Sequence, residues 1–169
     1  MTSPLADLFV QYHASLVRML YRRTGDRDRA EEIAQETFAR AVAAPPRNPR
    51  PWLFAVALNL VREEARTTAR RDRRLVLFRA EQADWVVPPD QEVDRGERIA
   101  RVRSALDRLA PRDREALLLK AEGFSYDEIA ATLGLARGAI GTTLARARRR
   151  LVESYRAGGE SEETQHVAS

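Results

Sequence analysis

A chain of 169 residues, 44% of them hydrophobic, can bury the core of one ordinary domain or of two small ones. It has no cysteine, which excludes a disulfide framework, a thiolate metal site and a cysteine nucleophile, and no apolar run long enough to span a bilayer. The net charge is only +4, yet 28 of the 29 basic residues are arginine and only Lys120 is lysine. Arginine is a planar, permanently charged phosphate binder. The same bias also follows from a GC-rich coding sequence, so the placement of the arginines has to decide.

Met1 to Val10 lacks the basic start and long apolar stretch of a signal peptide, so a cytoplasmic chain without direct membrane insertion is expected. Apolar residues then recur at close to the 3.6 period: Leu5, Leu8, Phe9, Tyr12, Leu16, Val17, Leu20. After a break at Thr24-Gly25, Asp26 or Asp28 can cap a second helix striped with Ile33, Ala34, Thr37, Phe38, Ala41 and Val42. Four prolines in the seven residues Pro45 to Pro51 end that helix near residue 44, and Pro51 suits the first turn of a third running from Trp52 to about Arg71. Arg62, Arg66, Arg70 and Arg73 or Arg74 recur along it at helical spacing, a stripe suited to a DNA backbone.

The stretch from Leu75 to Glu97 has six acidic residues against two arginines, along with Val76, Leu77, Phe78, Trp85, Val86 and Val87, and reads as a tethering linker. A second helical block starts near Ile99, breaks at Ala110-Pro111, and resumes from Arg112 to Glu122. Ser125-Tyr126-Asp127-Glu128 is a capping box that opens a short helix, and Gly134 is a left-handed stop for it. A further helix starts near Arg137, with Ile140, Leu144 and Leu151 facing inward and Arg146, Arg148, Arg149 and Arg150 near its end. Short helix, glycine turn and basic helix make a helix-turn-helix, whose second helix fits the major groove. The polar tail "AGGESEETQHVAS" reads as disordered.

"SALDRLAPRDREALLLKAEGFSYDEIAATLGLARGAIGTTLARARRRL" resembles the fourth conserved region of bacterial sigma factors, in particular the small two-domain extracytoplasmic-function (ECF) class. "GDRDRAEEIAQETFARAV" and "PRPWLFAVALNLVREEARTTARR" resemble the second region of the same family. The resemblance implies an all-α chain divided into residues 1–74 (region 2), 75–97 (acidic linker), 98–154 (region 4) and 155–169 (tail). It also implies that Glu32, Gln35, Glu36 and Phe38 dock on the clamp helices of core RNA polymerase, with Phe38 alone equally readable as core.

By the same resemblance, Asn59 lies close to the pocket for an extruded base of the minus-ten element of promoter DNA, with Arg62, Arg66, Arg70 and Arg73 beside it. Trp52 and Phe54 fit either base stacking or core, core being favoured. Region 4 would grip the polymerase flap and read the minus-thirty-five element through Arg137, Gly138, Thr142, Thr143, Arg146 and Arg149. Leu58 stands where the family often has arginine, and Gly141 where it usually has lysine. Gly138 would allow close approach to DNA or to a neighbouring helix. The linker fits either a path through polymerase channels or a plain tether.

An anti-sigma factor partner is implied too, one that occludes the polymerase-binding faces. No catalytic residue, metal, cofactor or small-molecule substrate is expected. His13 and His166 are isolated, and neither a glycine-rich phosphate loop nor a nucleophile elbow is present. The rival readings are a stand-alone helix-turn-helix regulator, which leaves the first block without purpose, and an all-helical adaptor, which leaves both basic stripes unexplained.

Overall fold

The computed structural model describes residues 4–75 and 90–167, and the side chains of 4–71 and 95–159. Among the described residues there are seven helices and no strand: α1 (Pro4–Thr24), α2 (Arg27–Ala43), α3 (Pro49–Leu75), α4 (Asp90–Asp107), α5 (Pro111–Ala121), α6 (Tyr126–Leu133) and α7 (Arg137–Val167). Each boundary has a local cause. Gly25, at φ 76°, turns the chain out of α1, and Asp26 caps α2 by accepting a hydrogen bond from the Arg29 N–H at 3.0 Å. Pro49 and Pro51 fall in the first turn of α3, where a missing N–H costs nothing. Ser125 and Glu128 form the full capping box of α6, and Gly134 ends it in the left-handed conformation at φ 64°.

The helices α1, α2 and α3 pack as one bundle around Leu16, Met19, Leu20, Ile33, Ala34, Leu53 and Ala57. A second unit, α5 to α7, closes on Leu119, Ile129, Leu133, Ile140 and Leu144, with α4 laid along α7. The two units share a single buried cluster, because α3 packs on α6 and α1 on α5. Where they meet, the Phe54 and Phe124 rings lie edge to face at 4.7 Å between centroids, and the Arg50 guanidinium sits 4.1 Å from the centre of the Phe124 ring.

Two expectations need correction. The segment 155–169, read as a disordered tail, instead continues α7 as far as Val167. No proline interrupts it, α4 packs alongside, and the Tyr155 ring lies 4.6 Å from the Arg101 guanidinium of α4, so Gly158-Gly159 does not stop the helix. The end of the expected linker is helical as well. The sequence that follows Pro88-Pro89 is rich in carboxylates, which a helix N-terminus favours, and α4 starts at Asp90. Residues 76–89, with the linker's Phe78 and Trp85, lie outside the described residues.

The seam ring predicts an outcome. Phe124→Ala removes the ring that both units share and should cost about 3–5 kcal/mol of stability. Urea denaturation followed by helical circular dichroism measures this, and a loss under about 1 kcal/mol would mean that the seam does not support the fold.

Candidate nucleic-acid interface

The stripe on α3 is present and unevenly available. Asn59, Arg66 and Arg70 are exposed, whereas the Arg73 side chain lies outside the described residues. Arg62 reaches across the seam: its Nε donates to Glu115 Oε1 at 3.0 Å, a second nitrogen bonds Glu115 Oε2, and Nη1 donates to Asn59 Oδ1 at 2.9 Å. Phe54 is fully buried and Trp52 packs against the core, so Phe54 is a core residue and not a stacking platform. Leu58, at 1% exposure, is part of the same core, which accounts for an apolar residue where the resemblance suggests arginine.

The helix-turn-helix is formed by α6, the Gly134 turn and α7. Arg137, Gly138, Thr142, Arg148 and Arg149 are exposed on α7. Arg137 pairs with Asp127 at 2.7 Å, with both side chains mostly in water. Thr143 is a correction: at 7% exposure it lies on the inward face beside Ile140 and Leu144, so it cannot offer its hydroxyl to a base. Neither helix glycine is required by the packing of this chain. A Cβ at Gly138 would meet nothing within 4 Å, and one at Gly141 would make an ordinary 3.7 Å contact with Tyr126 Cε2. Of the two reasons expected for Gly138, close packing against a neighbouring helix is thereby removed.

Arg146 is held from below. Its Nη2 and Nε donate to Asp113 Oδ1 and Oδ2 at 2.6 and 3.1 Å, and Arg150 adds a weaker contact at 3.4 Å. Asp113 is buried on α5, and the hydrogen bonds from Arg146 hold its carboxyl below the usual aspartate range despite the burial. Glu128 is also held low, first by the Ser125 N–H of the capping box and then by Arg50. Sequence reasoning missed Asp113, which receives Arg146, Glu115, which receives Arg62, and Glu122, which receives Arg18 and Arg22 of α1.

On α2, Glu32, Gln35 and Glu36 are exposed, Glu32 bonding Arg29 and Glu36 accepting from Arg40 Nε at 2.9 Å. Phe38 is buried beneath Phe9, with ring centroids 5.1 Å apart, and His13 stacks on Phe9 at 4.3 Å. The apolar surface beside the Phe38 ring is offered by Phe9, which is 43% exposed, rather than by Phe38. No helix among the described residues is long and apolar enough to cross a membrane.

Two family models match the chain, "Sigma-70 region 2" over residues 8–71 and "Sigma-70, region 4" over residues 99–151. The ECF RNA polymerase sigma factor SigE of Mycolicibacterium smegmatis is 35% identical over 96% of this chain, which spans 65% of that relative's length. The ECF RNA polymerase sigma factor EcfG of Rhodopseudomonas palustris is 34% identical, over 89% of this chain and 84% of the relative. Among solved structures, the sigma factor RpoE in complex with the anti-sigma factor NepR from Bartonella quintana matches at a TM-score of 0.67 and 26% identity. That match covers 89% of this chain and 95% of the other. CnrH in complex with the cytosolic domain of CnrY matches at 0.65 and 28%, over 90% and 88% of the two chains.

The depressed carboxylates set a pH dependence. A carboxyl held low in the folded state contributes stability above its unfolded value and loses it as pH falls through the folded one. The unfolding midpoint in urea should therefore drop as pH falls from neutral through and below the ordinary carboxylate range. Asp113→Asn should start lower at neutral pH and fall less steeply, and parallel slopes for the two proteins would refute the role given to Asp113.

Proposed function

Because the chain belongs to the ECF RNA polymerase sigma factors, which bind core RNA polymerase and direct promoter-specific transcription initiation, we propose which of its residues do each part of that work. Asn59, Arg62, Arg66, Arg70 and Arg73 face the minus-ten element: the arginines hold the backbone, and Asn59 offers an amide edge to an unstacked base. Arg137, Thr142 and Arg149 face the minus-thirty-five element, with Gly138 letting the α7 backbone come close to it. Arg146 positions α7 on α5 through Asp113. The exposed carboxylates and amide of Glu32, Gln35 and Glu36, with Phe38 supporting the helix from beneath, face the polymerase clamp helices.

The observation that carries this reading is that one chain presents both an exposed arginine stripe on α3 and a capped helix-turn-helix bare of side chains at Gly138. A stand-alone operator-binding regulator needs only the second. The chain's work is binding, without covalent chemistry, and its place is with the polymerase in the cytoplasm. Structures of two similar chains hold an anti-sigma factor or the cytosolic domain of CnrY, and an inhibitory partner of that kind is proposed here too.

Initiation by purified core polymerase from a randomised promoter library tests the whole reading. Start sites that depend on the chain and share two spaced elements support it, and binding of a palindromic duplex without initiation would favour the stand-alone regulator. Arg66→Ala/Arg70→Ala should weaken promoter binding evenly across sequences and lower the log–log salt slope by about 1.4–1.8, the release expected for two phosphate contacts. Thr142→Ala should relax base preference in the upstream element, whereas Thr143→Ala should lower stability and leave that preference alone. Gly138→Ala should stabilise the free chain by about 0.5–1 kcal/mol while weakening upstream binding.

A further inference from the structure

Two arginines near the meeting point of α1, α3 and α5 have donors that no acceptor reaches. Arg114, on α5, is 8% exposed; its Nη1 donates to Asp107 Oδ1 at 2.9 Å, but its Nε is buried without an acceptor. Arg23, next to the end of α1, is partly buried, and its Nε is likewise buried without an acceptor. Arg23 lies within electrostatic reach of Arg114, Arg62, Glu115 and Asp107. Both carboxylates are already engaged, Glu115 by Arg62 and Asp107 by Arg114, and Arg23 forms no ion pair among the described residues.

The cluster therefore sets three guanidinium groups against two carboxylates. Burial, and after it the charge of Arg114, pulls the Arg23 guanidinium below its ordinary pKa, and Glu115 and Asp107 do not make up the loss. A buried donor without an acceptor is rare in folded proteins, and a bound ion or water is the usual remedy. A water molecule accepts from such a donor but leaves the excess positive charge as it is. A carboxylate balances the charge, but its two oxygens lie in one plane, whereas these donors come from different helices. A phosphate group meets both needs, with about −1.5 to −2 charges at pH 7 and three strong acceptor oxygens set around its phosphorus.

We propose that the point where α1, α3 and α5 meet is a binding site for a small phosphate anion, which accepts from Arg23 Nε and Arg114 Nε and offsets the unmatched guanidinium. A phosphodiester inside a DNA strand carries a sugar on either side and cannot reach two nitrogens that have no surface in water. The ligand is therefore inorganic phosphate or the terminal phosphate of a nucleotide. Arg23 keeps part of its side chain at the surface and marks the way in. The two donors, Arg23 and Arg114, are not among the residues assigned to DNA, so the site stands or falls apart from that assignment.

Isothermal calorimetry of the full-length chain with inorganic phosphate, against sodium chloride of equal ionic strength, measures binding. Urea denaturation in the same two buffers measures its effect, and phosphate at ten times its dissociation constant should lower the unfolding constant about 11-fold. Arg23→Met removes a cation without a partner. It should be at least as stable as the parent in chloride and should lose the response to phosphate. Arg23→Lys keeps the charge without the Nε donor and should bind phosphate about 10-fold more weakly, the loss of one charged hydrogen bond. Arg66→Ala/Arg70→Ala, which removes exposed cations assigned to DNA, should keep the full response. A nucleoside 5′-monophosphate run in place of inorganic phosphate separates the two sources: an equal response puts a nucleotide's terminal phosphate in the site, and none restricts the site to the free anion. The site is overturned if phosphate gives the parent no gain over chloride, or if Arg23→Met gains as much as the parent, which is the general effect of an excluded salt. It is equally overturned if Arg23→Met is the less stable protein in chloride, because Arg23 is then a partner of the carboxylates and not an open donor.

Discussion

Glu115 keeps none of its surface in water, and a carboxylate in that position costs several kcal/mol unless cations reach it. The cation comes from α3, in the other half of the molecule, and the relation between the two units depends on that meeting. Removing one partner of such a pair typically costs about 3–5 kcal/mol, because the charge left behind stays buried. The units are therefore joined by a group that needs an arginine but does not require this particular one. Beside it, Phe54 and Phe124 add ring packing that draws the units together without any preference among charges. An apolar seam alone would not respond to an anion, and buried ion pairs, though little screened by salt, must first offset the cost of desolvating their charges. This seam combines both.

What could be read from the sequence was local. The capping box at Ser125, the stop at Gly134, the Asp26 cap and the prolines that open α3 all act within one helical turn, so short-range physics suffices to place them. The ion pairs of the seam join residues from 53 to 104 positions apart, and no periodicity links such partners. Asp113 was hidden for a related reason. An acidic residue in the first turn of a helix reads as a solvated partner of the helix dipole, yet here it is buried beneath α7. Thr143 was legible: it follows Ile140 by three residues and precedes Ala147 by four, so the helical period alone puts it on the inward face. The tail was misjudged by composition, since two glycines and a polar run do not end a helix that has begun inside a packed one.

The arginines of α7 differ in what it costs to divert them to DNA. Arg137 and Asp127 are both mostly in water, and an exposed pair of this kind is worth about 0–1 kcal/mol, so a base edge or phosphate can take Arg137 at little expense. Arg149 is exposed on the same helix. Arg146 is different: taking it away strands a buried Asp113 with only the longer Arg150 contact. It acts as a strut that fixes the angle of α7 on α5. On the proposed reading the groups α7 offers to bases are few, Arg137, Thr142 and Arg149 around two glycines. A helix with few side chains to offer gains from bringing its backbone nearer the groove, and the open space at Gly138 permits that approach.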